Sequence, residues 1–171
     1  MVITPAADVG INHYQCAKAA FETSRAVKAG GCIVLCGNLT EPDPVGGKDY
    51  KKMPGLLASL GAREFMRTIS SADRSFVPKQ RQVQKWAQAF ERPGSVKKVF
   101  TCAPQLEGYT EKLIPETNVC RQIKRLAGET DIGFTQRMMQ QTINTQLGIS
   151  AGSSVLVLPD GPYAVPVTAD E

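Results

Sequence analysis

The first 38 residues constrain the fold more than any other stretch. Val2-Ile3-Thr4 is a short β-branched run that stops at Pro5, the composition of a strand end. Residues 6–11 form a loop containing Gly10, and Asn12 is placed to cap a helix. From His13 to Lys28, Tyr14, Ala17, Phe21 and Val27 recur at helical spacing, while Gln15, Lys18, Glu22 and Arg25 take the other face. Ala29-Gly30-Gly31 supplies a helix stop. Cys32-Ile33-Val34-Leu35-Cys36 is then a continuous apolar run between glycines, which is how a central parallel strand buried on both faces reads. Strand, helix and strand within about 35 residues make a βαβ unit with a right-handed crossover.

The remaining elements follow the same alternation. Helices are expected over residues 48–60 (despite Pro54), 63–70, 79–90 and 131–147, the last with Gly148 beyond its end. A weaker helix is expected over 118–127, and 106–117 reads neither way. Val96–Cys102 and Val155–Leu158 are the third and fourth strands. Pro159-Asp160-Gly161-Pro162 is a strong turn signal, after which Tyr163–Pro166 runs extended. The fold class is α/β: a Rossmann-like three-layer domain with a mostly parallel sheet, one domain over residues 1–171. At 171 residues and 42% hydrophobic content the chain can bury a real core.

Composition excludes several classes. No apolar run approaches the roughly 20 residues of a membrane span, and the start has neither the basic nor the apolar region of a signal peptide. Five cysteines without a CxxC spacing read as buried thiols of a reducing cytoplasm rather than a disulfide framework. Cys32 and Cys36 face one side of their strand as core residues, not metal ligands. Between Lys48 and Lys98 lie 12 Lys and Arg against 4 Asp and Glu, a local +8 that leaves −4 for the rest of a chain of net +4. That basic middle reads as solvated helix faces or as a surface for an anion or an acidic partner domain. No aromatic interleaving accompanies it, so nucleic acid is not an expected partner.

Two groups carry candidate chemistry. Gln15 and Lys18, three residues apart, share a helix face just past the carboxyl end of a strand, where open α/β sheets bind ligands. An amide beside an ammonium suits a carboxylate or phosphate. The bland alternative is a solvated face with Lys18 paired to Glu22. His13, the one histidine, reads as helix-end packing, with no triad partner near it in sequence. The loop after the first strand lacks G-x-G-x-x-G and no Walker motif occurs, so self-sufficient nucleotide binding is not expected.

Asn12-His13-Tyr14-Gln15-Cys16-Ala17-Lys18, followed by Val27-Lys28-Ala29-Gly30-Gly31-Cys32-Ile33-Val34, resembles the C-terminal domain of the nickel-dependent lactate racemase family. Val77-Pro78-Lys79-Gln80-Arg81-Gln82-Val83-Gln84 and the closing Val157-Leu158-Pro159-Asp160-Gly161-Pro162-Tyr163 resemble two further family segments in collinear order. The resemblance implies a two-domain 2-hydroxy acid racemase or epimerase that uses a nickel-pincer nucleotide. Hydride passes from the substrate α-carbon to the cofactor and back to either face. The cofactor ligands and catalytic histidines would lie in an N-terminal cofactor domain that this chain lacks. Gln15 and Lys18 would bind substrate, and Arg81 stands where the family has a tryptophan near the substrate. An arginine there implies a substrate larger or more acidic than lactate. The chain alone is expected to be inactive. The rival readings are a fragment of a nucleotide-dependent dehydrogenase and a non-catalytic binding domain.

Overall fold

The computed structural model describes residues 1–163 apart from 72, 74, 150, 151 and 153. The strands are β1 (Val2–Pro5), β2 (Ile33–Cys36), β3 (Val99–Cys102), β4 (Thr117–Asn118) and β5 (Leu156–Val157). The helices are α1 (His13–Ser24), α2 (Lys48–Lys51), α3 (Pro54–Ile69), α4 (Gln80–Glu91) and α5 (Asp131–Ile149). All strand pairs are parallel, in the order β4-β3-β2-β1-β5. The expected α/β class and mostly parallel sheet are therefore present.

Alternation along the strands divides the core in two. Val2, Ile33, Leu35 and Val99 pack on α1, α3 and α4, together with Trp86, Phe90, Leu57 and Phe65. Ile3, Val34, Phe100 and Cys102 face the other way, onto Phe134 and Met138 of α5. Helices on both faces give the three layers. Cys32 and Cys36 both belong to this second core, as their spacing requires. Connections leading from β1 out to β3 occupy the first face, and the return to β5 crosses the second. The order in which strands are added thus reverses between β1 and β5, and the crevice above that reversal is where such sheets bind ligands.

Several boundaries differ from the pattern reading. Helix formation does not continue through Pro54; the proline starts α3, at the position where its missing N–H is harmless. Residues 54–69 are helical on both sides of Gly61, whose φ of 74° and ψ of 166° break the helix in the gap expected between 48–60 and 63–70. Gly148 lies inside α5 rather than beyond it. Residues 96–98 form a 3-10 turn capped by Ser95 before β3 begins. The weak helix expected over 118–127 is only a 3-10 turn at Val119–Arg121, and Thr117–Asn118 before it is a strand. That strand is two polar residues long, too short for periodicity to register. Tyr163 ends a 3-10 turn (Gly161–Tyr163) rather than starting an extended run, and the rest of that expected run lies outside the described residues.

The second face depends on one helix. Phe134 is fully buried there, with the Arg125 and Arg137 guanidiniums 5.1 and 5.2 Å from its ring centre. Phe134→Ala removes the largest fully buried side chain on that face and is expected to cost about 3–5 kcal/mol. Urea unfolding monitored by circular dichroism should show a lower midpoint with an unchanged slope.

Candidate functional site

The start of α1 is fixed by three neighbours. Asn12 caps it, its Oδ1 accepting from Gln15 N at 2.9 Å. The loop before α2 supplies carbonyls to the next two amides: His13 N donates to Pro44 O at 2.7 Å and Tyr14 N to Val45 O at 3.0 Å. Asp43 holds that loop in shape, its carboxylate accepting from the amides of Val45, Gly46 and Gly47 and pairing with Lys51 at 2.8 Å. The Lys51 ammonium first, and those amides with it, keep the Asp43 carboxyl below its usual range. Gly46, at φ 117°, lies so close to Tyr14 that a Cβ would meet the tyrosine at 2.5 Å.

Helix α4 runs beside α1 in the same direction. The Lys79 ammonium sits 5.2 Å from the Tyr14 ring centre and the Lys85 ammonium 5.4 Å from that of Phe21. Lys79 itself adopts φ 68°, a left-handed conformation rare for a residue with a side chain. It brings a cation from the N-terminus of α4 against the residue next to Gln15. On the other flank the turn Gly161–Tyr163 packs on α1 and on the end of β1. Gly161 has φ 55°, and a Cβ there would collide with Pro5 O, so a larger residue does not fit.

The structure places Gln15 and Lys18 on the outer side of α1, both partly exposed. The Gln15 Oε1 is nonetheless buried and has no hydrogen-bond partner among the described residues. Glu22 pairs with Arg25 at 3.3 Å rather than with Lys18, and Lys18 makes no ion pair among the described residues. Arg81, second in α4, is exposed. It lies at the same end of the helical layer as Gln15, where the parallel helices begin, and nothing in the structure brings it into contact with the pair.

Beneath this surface His13 occupies a sealed network. Its Nε2 lies 2.9 Å from Glu116 Oε1, its Nδ1 2.8 Å from the Tyr50 hydroxyl, and its ring stacks on Trp86 at 4.7 Å and 12°. Glu116 also accepts from Thr101 Oγ1 at 2.8 Å. All five side chains are buried. Burial, the strongest single influence on Glu116, pushes its carboxyl up; the charge and hydrogen bond of His13, with the bond from Thr101, outweigh it and leave the carboxyl below its usual range. Burial, with the Glu116 charge adding to it, raises the Tyr50 phenol well above 10. His13 thus packs at the helix end as the sequence implies, but as the buried partner of Glu116. Glu116 is 103 residues away, so no local pattern pointed to it. Tyr50, Lys79 and the 43–47 loop were equally invisible to spacing arguments.

No protein-family model and no curated protein matches the chain. Among solved structures it is similar to the lactate racemase apoprotein from Thermoanaerobacterium thermosaccharolyticum, with a TM-score of 0.67 and 20% identity over 98% of this chain. The chain has a lactate racemase-like fold. It spans 35% of the length of that protein. No helix among the described residues is long and apolar enough to cross a membrane.

Removing one partner of a buried pair leaves the other unmatched. Glu116→Ala is expected to cost about 3–5 kcal/mol, while Glu116→Gln, which keeps an acceptor for His13, should cost less. The sign of the pH effect follows from the lowered carboxyl. Its contribution is complete above the unfolded carboxylate value of about 4.3 and is lost as pH falls through the folded value. Stability measured by denaturant titration should therefore fall less steeply below about pH 5 in Glu116→Gln than in the unaltered chain.

Proposed function

We propose that this chain is the substrate-binding C-terminal domain of a 2-hydroxy acid racemase or epimerase, acting with a separate N-terminal cofactor domain. The observation that carries the reading is the Gln15–Lys18 pair. An ammonium without an ion pair and an amide whose buried oxygen lacks a donor, both among the described residues, stand one turn apart on the helix that leads out of β1 and borders the reversal point of the sheet. The lactate racemase-like fold and the collinear sequence segments support it.

The chemistry follows from those two groups. Lys18 offers a charge-assisted bond to a carboxylate. Gln15 can donate through its amide nitrogen to the same carboxylate and accept at Oε1 from the neighbouring 2-hydroxyl. Together they would fix the two substituents that define a 2-hydroxy acid and present the α-carbon to the opposite domain. Lys79 and Arg81 add positive charge at that end, which favours an acid larger or more anionic than lactate. A nickel-pincer nucleotide would supply hydride acceptance and return. The described residues of this chain do not fit its metal: no three His, Cys, Asp or Glu side chains are grouped as ligands, and both ring nitrogens of His13 are already bonded. Its ligands, and the proton-transferring base, are assigned to the partner domain.

The dehydrogenase reading meets a specific obstacle. A dinucleotide pyrophosphate binds the free amides at the N-terminus of the first helix. Here those amides are bonded to Asn12, Pro44 and Val45.

The test uses the intact two-domain protein loaded with its cofactor and a panel of 2-hydroxy acids, with racemisation followed by chiral chromatography. Lys18→Ala is expected to weaken substrate binding by about 1.5–3 kcal/mol, the worth of a hydrogen bond to a charged group. Arg25→Ala, at the C-cap of the same helix, should leave it unchanged. Unaltered KM and kcat in Lys18→Ala would refute the assignment of the site.

A further inference from the structure

The carboxyl ends of β2 and β3 hold two thiols that the proposed acid site does not use. Cys36 and Cys102 are register partners on adjacent parallel strands, and both side chains lie in the core under α5. Neighbouring strands are about 5 Å apart, within the Cα separation a disulfide spans. The two thiols differ in access. Cys102 is fully buried, whereas Cys36 is partly exposed and lines a hollow of about 200 Å³ with Asn38, Asp131, Ile132 and Thr135. The first turn of α5 forms the far wall of that hollow, and a helix N-terminus favours a thiolate nearby. The Asp131 carboxylate, the one acidic group of the lining, is engaged by Arg125 at 2.7 Å and by Gln105 Nε2 at 2.9 Å.

The other three cysteines are placed differently. Cys16 is buried in the opposite core, and burial pushes its thiol far up. Cys32 lies at the far end of its strand and is also raised by burial. Cys120 donates to Ala103 O at 3.0 Å, and burial lifts it to about 11. Cys36 is shifted down, chiefly by the hydrogen bond from Cys102.

We propose that Cys36 and Cys102 form a thiol–disulfide pair, with Cys36 as the attacking sulfur toward hydroperoxides entering through the hollow. The Cys36 thiolate attacks one peroxide oxygen; the O–O bond breaks and the alkoxide or hydroxide leaves with a proton. The sulfur, oxidised by two electrons, becomes a sulfenic acid, and the peroxide is reduced to an alcohol or water. Cys102 then attacks that sulfur; the S–S bond forms, the S–O bond breaks, and hydroxide takes up the Cys102 proton as water. An external dithiol reverses the pair. The proposal is independent of the racemase reading and needs neither cofactor nor partner domain.

The experiment treats the native chain with one equivalent of hydrogen peroxide, blocks remaining thiols by alkylation, and maps tryptic peptides by mass spectrometry. The expected product is lighter by two hydrogens, with peptide 29–48 joined to peptide 99–112 and fragmentation placing the bond at Cys36 rather than Cys32. In Cys102→Ser the bond should be absent and a sulfenic acid at Cys36 should be captured by a cyclic 1,3-dione. Cys36 should also be alkylated at least about tenfold faster than Cys120 in the folded chain. A bond through Cys32, a bond that forms only in urea, or equal alkylation of Cys36 and Cys120 would each overturn the proposal.

Discussion

The buried contact between His13 and Glu116 ties together parts of the chain that local structure alone leaves separate. His13 opens α1, and Glu116 immediately precedes β4. Their 2.9 Å bond runs from the helical layer to the β4 edge of the sheet, reinforced by Thr101 of β3. Trp86 of α4 stacks on the imidazole and Tyr50 of α2 bonds its other nitrogen. Three helices and the segment leading into β4 therefore meet at one ring. In a low-dielectric interior such a network constrains geometry strongly, because each partner left unmatched carries its desolvation cost. The position of α1, and with it the outward direction of Gln15 and Lys18, rests on that junction.

Much of the fold was legible because its central parts obey simple periodicities. Cys32–Cys36 is apolar throughout, and a strand covered on both faces has to be. Asn12 caps α1 as its chemistry suggests. What failed to show had no pattern to show. Strand β4 is two polar residues held by register with β3, so its existence depends on a neighbour rather than on its own composition. Gly61, by contrast, falls in the gap between the helices expected over 48–60 and 63–70, and its backbone angles break the helix there.

The site was legible in part, and the division is instructive. Gln15 and Lys18 lie on one helix, so their proximity follows from i, i+3 geometry. Lys79 reaches Tyr14 only because α4 lies alongside α1, and the 43–47 loop reaches the helix start only through the crossover. These are tertiary facts. Arg81 illustrates the limit from the other side: its place in a collinear segment suggested a site residue, and the structure leaves it exposed at the right end of the layer without joining it to the pair.

The lengths of the strands have a consequence for how the molecule keeps to itself. The three inner strands are four residues each, whereas the two rims, β4 and β5, are two residues each. A rim that short presents too few free backbone groups to template another chain. The apolar side chains of β5, Leu156 and Val157, are exposed, yet the ladder that would turn their stickiness into fibrils stops after a single step. Resistance to edge-to-edge association is thus built into the brevity of the outermost strands rather than into charges placed along them.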